Sequence, residues 1–231
     1  MDFIVDTIAT PGPSARRKRT LKMSDSFVVL DSHGDIGASP GGPDGFFHCD
    51  TRFLSRLELR FNRMAPLLLG SNVTDDNAIL NVDLTNPDIF VDDQRVLKKD
   101  TLHIIRTTFV SNRSLYQRLG IRNHGQDPVA IELTVIFTSD FADIFEVRGI
   151  HRAQRGATTK DVTSARSVEL RYDGLDGKAR KLDIGFDPAP TQLGKRQASY
   201  LLTLAPNERF SFVVVASCDL REGASPPNFF K

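Results

Sequence analysis

The stretch VAIELTVIFTSDFADIFEVRG, Val129 to Gly149, decides the fold and poses the question of function. In its first half, Val129, Ile131, Leu133, Val135 and Phe137 alternate with Ala130, Glu132, Thr134 and Thr138, interrupted only by Ile136. Alternation with period two puts successive side chains on opposite faces, so this half reads as a strand with one apolar face. From Thr138 the alternation breaks. Asp140, Asp143, Glu146 and Arg148 then fall among Phe141, Ile144, Phe145 and Val147.

Outward from this strand the chain repeats the same grammar. Leu80, Val82 and Leu84 alternate with Ile79, Asn81 and Asp83; Val168, Leu170 and Tyr172 with Glu169, Arg171 and Asp173; Leu182, Ile184 and Phe186 with Asp183, Gly185 and Asp187. Phe210, Phe212, Val214 and Ala216 close the series. NHGQDP (Asn123–Pro128) and YDGLDGK (Tyr172–Lys178) supply the Gly, Asn and Asp that tight turns need. The prolines of LTNPD, FDPAP and LAPNE stand where strands stop. No window of helical length holds a 3.6-residue period. The reading is all-β: a large antiparallel β-sandwich with few or no helices and no linker between Ser24 and Asp219.

The composition is that of a soluble globular chain, with 40% hydrophobic and 26% charged residues in 231. A net charge of +1 gives no general attraction to nucleic acid or to an anionic membrane. The basic run ARRKRTLK, Ala15 to Lys22, lacks interleaved aromatics and reads as a solvated arm. No apolar run approaches the ~20 residues of a membrane span. The opening MDFIVDTIATPGPS has neither the charged nor the continuous apolar part of a signal peptide. Two distant cysteines, Cys49 and Cys218, form no disulfide framework, and a reducing, cytoplasmic location is expected.

Motifs with chemistry are few. GASPG, Gly37 to Gly41, matches a nucleophile elbow in letters only. Pro40 follows the serine, and proline has no N–H to give an oxyanion hole. GFFHCDTRFLSRLELRFN, Gly45 to Asn62, gathers His48, Cys49, Asp50 and Arg52 ahead of an alternating run from Phe53 to Phe61. His48 and Asp50 can share a strand face, but Cys49 cannot join them, and no CxxC, HxH or HExxH completes a metal site. Neither a metal nor a cofactor is expected. In the stretch after Thr138, two readings stay open. Carboxylates there could act as the acid and base of glycoside hydrolysis. Alternatively the segment is a corner, with its aromatics in the core and Arg148 paired to an acid.

Seven segments taken together resemble a known family: SFVVLDSHGDI, GFFHCDTRFLSRLELRFN, PLLLGSNVTDDNAILNVDLTNPD, DTLHIIRTTFV, LYQRLGIRNHGQDPV, FTSDFADIFEVRGIHR and YDGLDGKARKLDIGFDPAPT. In that order they are similar to the N-terminal domain of bacterial glycogen debranching enzymes of the amylo-α-1,6-glucosidase type. The match runs from about Ser24 to about Asp219. The resemblance implies a β-sandwich that precedes an (α/α)6 barrel, with the catalytic carboxylates in the barrel. These 231 residues hold no barrel-sized helical region, so no catalytic residue is expected among them. The expected division is a basic arm over 1–23, the sandwich over 24–220 and a tail over 221–231.

On this resemblance, His48, Asp50 and Arg52 are candidates for shaping a glucan-binding end or an interdomain contact, and so are Asp143, Glu146 and Arg148. Carboxylates and guanidinium groups suit sugar hydroxyls. The plainer reading makes Asp50–Arg52 and Asp143–Arg148 internal salt bridges. Cys49 departs from the family pattern, which has a larger polar or basic residue there. The partners expected are an α-glucan, a helical-barrel catalytic domain or partner chain, and a second copy in a homodimer; nucleic acid and membrane are not. An exposed apolar patch should mark the docking face, with Phe229 and Phe230 of the tail as part of it. The alternative is a stand-alone module, for protein interaction or for carbohydrate binding, and the latter needs exposed aromatics. These are poorly supplied, since Trp is absent and Tyr116, Tyr172 and Tyr200 are the only tyrosines. An independent hydrolase using Asp143 and Glu146 is a third.

Overall fold

A computed structural model describes residues 17–37 and 42–219. In chain order the strands begin β1 (Arg19–Met23), β2 (Ser26–Leu30), β3 (Gly45–His48), β4 (Thr51–Leu54), β5 (Arg56–Phe61) and β6 (Leu67–Val73). They continue with β7 (Ile79–Thr85), β8 (Ile89–Val91), β9 (Gln94–Leu97), β10 (Leu102–Ser111), β11 (Ser114–Asn123) and β12 (Val129–Thr138). A single helical turn, α1 (Ile144–Val147), follows. The chain ends in β13 (Ala157–Ser164), β14 (Ser167–Asp173), β15 (Ala179–Asp187), β16 (Gln192–Leu193), β17 (Gln197–Leu204) and β18 (Arg209–Cys218).

An eight-stranded antiparallel sheet, β13-β14-β15-β18-β11-β10-β7-β6, forms one layer. Two four-stranded sheets, β16-β17-β12-β5 and β1-β2-β3-β4, face it, and β8-β9 is a separate hairpin. The apolar side of each alternating strand closes one continuous core. Phe137 of β12 meets Phe186 of β15 at 5.9 Å between rings, and Tyr200 of β17 stacks on Phe212 of β18 at 4.3 Å. Each such buried side chain contributes about 1.5–3 kcal/mol, so patterned alternation alone suffices to specify the two layers. The expected β-sandwich is the observed one.

Three details differ from the sequence reading. Phe53 to Phe61 is not one strand. Ser55 interrupts it, and β4 and β5 lie in different sheets. Because the chain passes between layers here, Phe53 and Leu54 are both buried although they are neighbours. Ser55 fixes the crossing through its N–H and hydroxyl, both bonded to the Thr138 carbonyl, at 2.9 and 3.2 Å. Second, Glu58, on the polar side of the alternation, is buried, and Arg56 and Arg60 neutralise it. Third, Arg19–Met23, inside the expected basic arm, is strand β1 and pairs with β2. Residues 1–16, most of the Gly37–Gly41 match and the tail with Phe229 and Phe230 lie outside the described residues. Among the described residues, no helix is long and apolar enough to cross a membrane.

Candidate functional site

The cluster His48–Arg52 folds as the β3–β4 hairpin. Cys49 and Asp50 take left-handed backbone angles, φ 43° and 60°, as a two-residue hairpin turn requires between His48 and Thr51. The turn sends the four side chains to different places. His48 points inward, with Nδ1 2.9 Å from Ser26 Oγ and Nε2 3.4 Å from Cys49 Sγ. Burial pushes its imidazole pKa down, and the Arg113 cation adds to this. Cys49 and Asp50 are exposed at the tip. Arg52 does not pair with Asp50. Its guanidinium grips Asp140 with two bonds, Nε to Oδ1 at 3.1 Å and Nη2 to Oδ2 at 2.5 Å, and Nη1 donates to the Gly42 and Asp44 carbonyls. Gly45 makes room for it, since a Cβ there would lie 2.5 Å from Arg52 Cδ.

The second cluster packs directly on the first. Arg52 N–H donates to the Ala142 carbonyl at 2.7 Å, and Ile144 N–H to the Asp50 carbonyl at 2.9 Å. The two stretches that look alike in chemistry therefore form one corner, although Arg52 and Asp140 stand 88 residues apart in sequence. Within it, Asp143 caps α1. Its carboxylate accepts from the Phe145 and Glu146 amides at 2.8 and 2.9 Å, and Glu146 Oε2 accepts from the Asp143 amide at 3.0 Å. This is a capping box, and the D-x-x-E spacing of Asp143–Glu146 was the signal for it.

Arg152 closes the box by pairing with both Asp143 and Glu146, and Arg155 lies 3.7 Å from Glu146. Burial alone would lift the Asp143 carboxyl, but Arg152 and the two amides outweigh it and hold the pKa below the usual carboxylate range. Arg148, the expected partner of Asp143, sits at the far end of the turn. It is exposed and pairs with none of the described residues. The aromatics also divide. Phe141 is buried, stacked on Tyr172 at 5.7 Å and edge-on to Phe53 at 5.6 Å. Phe145 and Ile150 are instead 58% and 60% exposed, and Leu175, 68% exposed, borders a cleft with Arg152 and Arg180.

A second concave feature lies on the outer face of the eight-stranded sheet. His103, Ile105, Arg118, Arg122, His124 and Phe210 line a groove of about 520 Å³. The bare Gly120 backbone lies in its floor, and a Cβ there would meet nothing within 4 Å. His103 Nε2 lies 2.9 Å from Asp83 Oδ1. Sequence reasoning did not single out this set, because its residues come from three strands brought together only by pairing. Among the described residues, no three of His, Cys, Asp and Glu converge as metal ligands.

None of the curated proteins matches this chain. Among solved structures, a protein described as an aldose 1-epimerase from Escherichia coli K12 has a TM-score of 0.54 at 7% identity, over 89% of this chain and 99% of its own. A galactose mutarotase related enzyme from Lactobacillus acidophilus gives 0.51 at 9% identity, over 88% and 98%. A protein described as a kojibiose phosphorylase from human microbiome gives 0.54 at 10% identity, and there the match covers 86% of this chain but 29% of the other. At such identities the likeness is one of fold. The sequence profile for the N-terminal domain of (some) glycogen debranching enzymes matches residues 21–215.

Proposed function

The chain belongs to the family of N-terminal domains of glycogen debranching enzymes, and from that premise we propose that it is a non-catalytic domain that docks on a helical catalytic domain and helps shape an α-glucan site there. The observation that carries this reading is the corner where the β3–β4 hairpin meets α1. Two backbone hydrogen bonds and the Arg52–Asp140 pair fix it. It presents Asp50 and Arg148 outward, with Phe145 and Ile150 exposed on the same turn and Leu175 exposed at the neighbouring cleft of Arg152 and Arg180. Fixed polar groups next to apolar side chains suit an interdomain face that reaches a sugar. Asp143 and Glu146 are engaged by amides and by Arg152, so their role is to hold this corner rather than to transfer protons.

The working division extends the sandwich domain to β1–β18, residues 19–218, in a cytoplasmic protein, with an (α/α)6 barrel domain as partner and self-association as the competing use of the same face. The test is to titrate the chain with a separately produced (α/α)6 α-1,6-glucosidase domain. Association lost in a Phe145→Ser/Leu175→Ser variant supports the reading. Absence of association, or association untouched by these changes, overturns it. A second reading, direct glucan binding, draws on the groove around His103 and His124. Saturable heat with a branched malto-oligosaccharide, lost in Arg118→Ala, would favour it.

A further inference from the structure

Beyond any docking role, a cleft on the inner side of the sheet edge has a chemistry of its own. It measures about 480 Å³ and is lined by Ser139, Asp140, Arg155, Thr158, Lys160, Tyr172 and Arg196, with Gly156 at its back. Strand pairing explains its position. Tyr172 and Leu170 face inward from β14, and their partners on β13 are Thr158 and Lys160. β13 is the end strand of the sheet, so polar groups there face the space that apolar side chains fill further in. Gly156 is required at its back, because a Cβ would lie 1.9 Å from the Asp173 carbonyl oxygen.

The lining has an excess of donors and of positive charge. Asp140 is the only carboxylate in it among the described residues, and both its oxygens are committed to Arg52. Arg155 is held by the Asp140 carbonyl and lies near Glu146. Lys160 and Arg196 pair with no carboxylate among the described residues. Burial lowers the Lys160 ammonium below the ordinary lysine range, and Arg196 lowers it further, so two cations share the cleft uncompensated. Ser139 is 9% exposed, and its hydroxyl has no hydrogen-bond partner among the described residues. The Tyr172 hydroxyl accepts the Gly156 N–H at 3.0 Å and keeps its own proton to donate.

An ammonium, a guanidinium and two hydroxyl donors around one space match a tetrahedral dianion, whose oxygens all accept. We propose that the cleft between Ser139, Lys160, Tyr172 and Arg196 binds a phosphate dianion, free or carried as a monoester on a small polyol. The cleft is of ordinary ligand-pocket size, roughly 300–1,000 Å³, which leaves room for a polyol beside the phosphate.

The chain's thermal unfolding, followed at low ionic strength, tests this. About 10 mM inorganic phosphate should raise Tm by about 2–4 °C, while chloride at matched ionic strength should not. Lys160→Met should raise Tm without ligand, by removing a poorly compensated cation, and should abolish the phosphate response. Arg196→Gln should abolish the response as well, and Ser139→Ala should weaken binding roughly tenfold. Glucose 6-phosphate binding more tightly than inorganic phosphate, with glucose inert, identifies the ester as the ligand; equal affinity identifies free phosphate. No response to either, or a response that survives in both Lys160→Met and Arg196→Gln, overturns the assignment.

Discussion

Arg106 and Asp35 meet in the centre of the molecule, Nη1 to Oδ1 at 2.6 Å, with each side chain 1% exposed. Arg106 belongs to the large sheet and also donates to the His33 carbonyl, while the Asp35 carboxylate accepts the Leu59 amide of β5 at 3.1 Å. Asp31 braces the same loop by accepting the His33 and Asp35 amides. Burial pushes the Asp35 carboxyl up, and Arg106 pulls it back. One ion pair thus links the two layers.

Removing one partner strands a buried charge. Arg106→Ala should destabilise the chain by about 3–5 kcal/mol, read as a shifted denaturant midpoint. The double change Arg106→Met/Asp35→Leu should cost much less. If the double variant loses as much as the single one, the pair is not what the position supplies.

His48 makes stability depend on pH. Its folded pKa lies below that of the unfolded chain, so the unfolded chain takes up the proton first. Stability should therefore fall as pH drops through the ordinary imidazole range, near 6.5, and level off below the folded pKa. A Tm–pH profile of His48→Asn should lack that slope while keeping the carboxylate-driven fall at lower pH.

The capping box predicts a local effect. Asp143→Ala should cost about 1 kcal/mol and speed hydrogen exchange at the Phe145 and Glu146 amides, which its carboxylate now receives. Exchange in β12 should stay unchanged. Faster exchange throughout the sandwich would mean that α1 supports more than its own corner.

Arg52→Lys should fail to replace arginine. An ammonium cannot make the two-point contact with Asp140 and also reach the Gly42 and Asp44 carbonyls. A loss of about 1–2 kcal/mol is expected, discounted for the part-exposed Asp140. A double-mutant cycle with Asp140→Asn should recover a coupling energy. A value of zero would assign the Arg52 effect to the carbonyls alone.

The strands were legible in the sequence because each buries one face, and a period of two survives into the structure at β7, β12, β14, β15 and β18. The break at Ser55 was not, because apolar residues on both sides of it are what a chain changing layers also needs. Arg106 and Glu58 were illegible for another reason. A buried charge is written with the same letter as a solvated one, and only its partner tells them apart. The same holds for Arg52. The sequence offered Asp50 two residues away, whereas the fold supplies Asp140 from another strand's end. In the corner itself, the aromatics sorted by which could reach the core. Phe141 could, and Phe145, on a turn that begins outside the sheets, could not.

The seam between the hairpin and α1 is stitched by main-chain groups, Arg52 N–H to Ala142 carbonyl and Ile144 N–H to Asp50 carbonyl. Substitution cannot delete such a bond unless it introduces proline. The side chains at 49, 50 and 148 take no part in that stitching, so any replacement that accepts the left-handed backbone at 49 and 50 leaves the frame in place. Cys49, exposed on such a left-handed turn residue, stands where the outward chemistry can change while the seam keeps both its bonds.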